Sequence, residues 1–141
     1  CYLRGNDPGA KGTIVAKILV IDDESRVLRA MRFTLEGAGH EVIEAYDGDK
    51  GLEALETETP DLIICDLLMP EREGVSTIVE IRQRGIEAPI IAVSGGGQTG
   101  RANFLESARN LGADSTMDKP VGSSQLLAEI DRLLELFQDP D

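Results

Sequence analysis

The sequence predicts an α/β domain built on a five-stranded parallel sheet with helices on both faces. Three observations predict it. Short aliphatic runs such as KILVI, LIICD and IIAVS are continuous, not alternating with polar residues. That pattern belongs to strands buried on both faces. Segments with helical spacing of apolar residues lie between the runs, and strand–helix alternation implies parallel pairing through right-handed crossovers. Finally, most of the runs end abruptly in polar residues, at the edge where functional groups of such sheets collect.

The elements follow in order. Residues 1–13 (CYLRGNDPGAKGT) are rich in glycine and polar groups and read as a linker, tag or disordered end. The folded domain is expected over 14–138, with 139–141 as a tail. TIVAKILVIDD is the first strand. SRVLRAMRFTLEGAG is the first helix, with apolar Val27, Leu28, Met31 and Leu35 on one side. Ser25 or the preceding acids are expected to cap its start, and Gly37 to Gly39 to end it. HEVIEAY, shorter and more polar, is a second strand near an edge. DGDKGLEALETE is the second helix, with Asp47 as its cap and Pro60 as its stop. DLIICDLLMP, EGVSTIVEIRQRG and APIIAVSG supply strand, helix and strand. A glycine-rich loop (GGGQTG) leads to a helix over 102–111. DSTMDKP is a short fifth strand, and Ser123 is expected to cap a last amphipathic helix, SSQLLAEIDRLLELF.

Composition narrows the class. The 141 residues suit one domain with a single substantial core. There is no Trp and aromatics are 4%, so that core is aliphatic. A net charge of −12 argues against direct binding of nucleic acid or an anionic membrane. Cys1 and Cys65 form neither a disulfide framework nor a CxxC pattern, which suits a reducing cytoplasm. Cys65 sits in an apolar run and is expected to be buried. No apolar run approaches the roughly 20 residues that span a bilayer, and no signal peptide is legible.

Five polar residues fall at the same end of successive strands. Asp22 and Asp23 end the first, Asp66 the third, Ser94 the fourth and Lys119 the fifth. Each alone has a duller role: a helix cap, a turn, a loop residue or a solvated lysine. Together they form an oxygen-rich, thiolate-free cluster suited to Mg²⁺ or Mn²⁺. A carboxylate there can attack phosphorus and form an aspartyl phosphate, whose oxygens need the metal, the Lys119 ammonium and the Ser94 hydroxyl.

Over residues 17–137 the chain resembles a bacterial response-regulator receiver domain of the chemotaxis-regulator type. The resemblance rests on the acidic pair in ILVIDDE, the aspartate in DLIICDLLMPEREG, the hydroxyl in IIAVSG and the lysine with proline in MDKP. It implies a flavodoxin-like (βα)5 fold with strand order 2-1-3-4-5. It implies Asp66 as phosphoacceptor and Asp22, Asp23, Asp66 and the backbone carbonyl of Leu68 as metal ligands. Ser94 is the implied switch hydroxyl, Lys119 the implied phosphoryl partner, and the bond before Pro120 is expected to be cis. A sensor histidine kinase or phosphotransfer protein would be the donor. Output would pass to a downstream protein or output domain through the last two helices, where Glu106, Glu129, Asp131 and Glu135 are candidate contacts. The implied protein is a cytoplasmic switch, monomeric or weakly dimeric, with at most self-phosphorylation and autodephosphorylation as its own chemistry. A complete single-domain regulator and a receiver from a longer protein both remain open.

Two features depart from the pattern. Thr116 stands where many receivers carry Tyr or Phe, so the aromatic half of their switch is absent or replaced. Gly95, Gly96, Gly97 and Gly100 make the loop after the fourth strand permissive. Leu68 cannot orient water, which implies a longer-lived phosphoryl group. A degenerate receiver serving only for docking is the main alternative. The loop GGGQTGRA nearly spells a P-loop, but Arg101 and Ala102 replace its lysine and hydroxyl. A flavin carrier would want aromatics at the strand ends, where only Tyr46 is available.

Overall fold

The computed structural model describes residues 15–67, 74–94 and 112–137. Residues 1–13, Leu68, the glycine loop and the helix expected over 102–111, with Glu106, lie outside the described residues. The strands are β1 (Lys17–Ile21), β2 (Glu41–Ala45), β3 (Leu62–Asp66), β4 (Ile90–Ser94) and β5 (Ser115–Asp118). The described helices are α1 (Ser25–Gly37), α2 (Gly48–Ala54), α3 (Gly74–Gln83) and α4 (Ser123–Leu136).

All strand pairs are parallel, in the order β2-β1-β3-β4-β5. The expected architecture and order are therefore present. The polar HEVIEAY segment does lie at an edge, as β2, while β3 and β4 are buried at every position. Alternate residues of β1 serve two separate cores. Ile18 and Val20 pack with α1 and α4 through Leu28, Leu35, Ile130 and Leu133. Leu19 and Ile21 pack with α2 and α3 through Leu52, Ile78 and Ile81. Cys65 is fully buried in the second core, as expected, and burial pushes its thiol far above the ordinary range.

Asp47 caps α2 as expected, accepting the Lys50 N–H at 2.7 Å. Other terminal expectations need correction. The N-cap of α1 is Glu24, one of the preceding acids, and not Ser25; its side chain makes no cap bond, and Asp22 Oδ1 accepts the Glu24 N–H at 2.9 Å. Ser123 does not cap α4. It is the first helical residue behind Gly122, and its hydroxyl lies 3.3 Å from that of Thr34 on α1. Pro60 does not stop α2, which ends at Ala54 through backbone bonds of the following turn. Gly39, at φ 96, does turn the chain after α1 toward β2, where a left-handed conformation suits glycine.

Candidate functional site

The site lies at the carboxyl edge of β1, β3, β4 and β5. Backbone bonds align these strand ends. The Asp22 N–H donates to the Ala45 carbonyl at 3.0 Å, Leu67 N–H to Val93 at 2.9 Å, and Lys119 N–H to Ser94 at 2.8 Å. The strand register then brings residues far apart in sequence to one edge: Asp66 pairs with Val93, and Ser94 with Asp118.

Carboxylate oxygens of Asp22, Asp23 and Asp66 lie within 4.8 Å of one another. Asp22 and Asp66 are buried, and Asp23 is exposed. Three anions so close are costly without a counter-charge. Lys119 supplies one: its Nζ lies 3.0 Å from Asp22 Oδ2 and 3.5 Å from Asp66 Oδ2. Burial raises the Asp22 pKa, opposed by the Glu24 N–H and by Lys119. For Lys119, burial works against the charged form. The hydrogen bond to Asp22 and the charges of Asp66 and Asp22 outweigh it, and its pKa is raised. The ammonium is therefore fixed as a cation. The donor set is all oxygen, two of its three carboxylates shielded from water, which fits a small hard divalent ion.

Ser94 is fully buried at the end of β4. The Lys119–Pro120 peptide is cis, as the resemblance implied. Thr116 is half-buried on β5, opposite Ala92. The structure thus brings together Asp22, Asp23, Asp66 and Lys119, with Ser94 on the same edge. The sequence reading had singled out these five. It missed Glu24, whose Oε1 lies 3.3 Å from Lys119 Nζ. The available signal was its place directly after the acidic pair. Glu129, a candidate partner contact, accepts from Ser115 and pairs with Arg132 within the chain.

Comparison with known proteins agrees with this geometry. The family model described as a response regulator receiver domain matches residues 18–131. The transcriptional regulatory protein DltR of Streptococcus agalactiae is 37% identical over 115 residues, covering 81% of this chain and 50% of DltR. The alkaline phosphatase synthesis transcriptional regulatory protein PhoP of Bacillus subtilis is 34% identical over 119 residues, covering 84% of this chain and 48% of PhoP. The chain thus spans about half the length of these curated relatives. Among solved structures, a receiver domain from Clostridium thermocellum superposes with a TM-score of 0.79 at 32% identity, covering 86% of this chain and 96% of that one. A CheY-like receiver domain from Methanospirillum hungatei gives 0.78 at 29% identity, covering 86% and 95%. With the family match across most of its length and the acidic cluster at its strand ends, the chain belongs to the response regulator receiver domain family of two-component signalling.

Proposed function

We propose that Asp66 accepts a phosphoryl group from a phosphohistidine on a sensor kinase or phosphotransfer protein, and that the domain signals by the rearrangement that follows. The observation that carries this reading is the Lys119 ammonium held between Asp22 and Asp66 inside the three-carboxylate cluster. Asp66 Oδ attacks phosphorus, the phosphorus–nitrogen bond breaks, and the imidazole leaves with a proton. Asp22, Asp23, Asp66 and the Leu68 carbonyl would hold Mg²⁺, or Mn²⁺, which when bound would neutralise charge on the phosphoryl oxygens. Lys119 has a short path from the carboxylates to those oxygens, and the Ser94 hydroxyl can donate a hydrogen bond to them. Such positioning and charge stabilisation suffice for phosphoryl transfer.

Output passes by protein contact, to a partner or to a further domain. The relatives' names as transcriptional regulators favour an output segment that acts on DNA, while this chain, at net charge −12, makes no nucleic-acid contact of its own. The domain works in the cytoplasm as a monomer or weak dimer.

Incubation with acetyl phosphate and Mg²⁺, read by mass spectrometry, tests the reading. The wild-type chain should gain one phosphoryl group and Asp66→Asn none. An unmodified wild type that also ignores beryllofluoride would sink the reading and leave docking alone.

A further inference from the structure

We propose that Glu24 is a positioning residue for Lys119: it holds the ammonium toward the start of α1 and must release it when a phosphoryl group occupies Asp66. This rests on the phosphoacceptor reading above and adds a residue that the reading does not use.

The geometry is a two-point clamp. The Glu24 N–H binds Asp22 Oδ1 at 2.9 Å, while Asp22 Oδ2 receives Lys119 at 3.0 Å. The Glu24 carboxylate then closes on the same ammonium at 3.3 Å. Among the described residues Lys119 therefore has three anionic partners, two at β1–α1 and one, Asp66, at the longer distance of 3.5 Å. Asp22 and Asp66 are buried, and their places are set by the strand ends. Glu24 reaches the site from a side chain that is 58% exposed, free to swing into water. A phosphoryl group on Asp66 presents new anionic oxygens to Lys119, and Glu24 is the partner that can leave at least cost. The pair thus favours the unphosphorylated arrangement. An exposed pair of this kind contributes at most about fivefold to an equilibrium.

The test is the affinity for beryllofluoride at saturating Mg²⁺, read by ¹⁹F NMR on the whole chain, with Mg²⁺ affinity measured separately by calorimetry. Glu24→Gln should bind beryllofluoride about two- to fivefold more tightly than wild type. Glu24→Asp keeps the charge but is one methylene too short for the contact, and should show the same gain. Thermal melts confirm that each variant is folded. A gain in Glu24→Gln alone would mean that only the local charge matters and would overturn the clamp. Equal affinity in all three proteins would overturn it as well. Failure of wild type itself to bind beryllofluoride would instead remove the phosphoacceptor reading, so the two failures are distinct.

Discussion

At the scale of single residues, the two buried charges of the site and one buried histidine carry the pH and charge behaviour. Asp66 shares one small volume with Asp22 and Asp23, and Lys119 offsets only part of that repulsion. Without metal, Asp66→Asn should therefore melt several degrees above wild type; a clear fall in melting temperature would contradict the charge crowding. His40 sits at the opposite edge of the sheet, where its Nδ1 accepts the Ala16 N–H at 3.1 Å. Only the unprotonated nitrogen can accept. Burial lowers its pKa, opposed by Asp131 on α4 and Asp61 before β3. Below about pH 6.5 the unfolded chain takes up the proton first, so stability is full above that value and falls as pH drops toward the native pKa. One such group costs at most about 1.4 kcal/mol per pH unit. Melting curves between pH 7.5 and 5.5 should slope less in His40→Asn, whose amide oxygen can keep the bond; identical slopes would remove His40 as the cause.

At the scale of elements, two contacts fix how the helices meet the sheet. Arg82 near the end of α3 donates to the carbonyls of Gly112, Ile86 and Ala88 and pairs with Asp114 at 2.8 Å. The same Asp114 oxygen accepts the Ile90 N–H at 2.9 Å, so one guanidinium joins α3, the start of β4 and the approach to β5. Lysine gathers its three donors on one nitrogen and cannot reproduce this planar fork. Arg82→Lys should lose roughly 2–3 kcal/mol in urea unfolding, since partly buried carbonyls lose their donors. Gly51 of α2 faces β1 so closely that a Cβ there would come within 2.5 Å of Ile21 Cδ1. Ile21 is fully buried, so it can yield only by shifting against packed neighbours. Gly51→Ala should thus cost about 1–3 kcal/mol by overpacking, despite alanine's better helix propensity.

For the whole molecule, the proposed metal site couples the fold to the chemistry. The carboxylates of Asp22, Asp23 and Asp66 converge only in the folded chain, so a divalent ion held by them should stabilise it by mass action. At a Mg²⁺ concentration of 100 Kd the gain is about 2.7 kcal/mol. Differential scanning fluorimetry should show a Mg²⁺-dependent rise in melting temperature that Asp66→Asn largely loses. An equal rise in both proteins would mean that the ion binds elsewhere on this acidic surface.

The sheet was legible because its signal is local. Uninterrupted aliphatic runs such as LIICD can be satisfied only where both faces are covered, and β3 is buried at every residue. The acidic cluster was legible because each member ends or follows a strand. Cap identities were less so: Ser123 and Glu24 both have capping-type neighbours, and the backbone angles that decide between adjacent residues are set by how each helix docks. Glu24, His40 and Arg82 left no periodic trace at all. Their partners lie 95, 24 and 32 residues away, across strand order and helix crossings. By itself, the sequence determined the strand–helix alternation, the two-sided core and which carboxylates, hydroxyl and lysine stand at the strand ends, because hydrophobic periodicity and chain order encode them. Only the tertiary structure decided which anions the Lys119 ammonium touches, because contact distances depend on register and docking that no local pattern records.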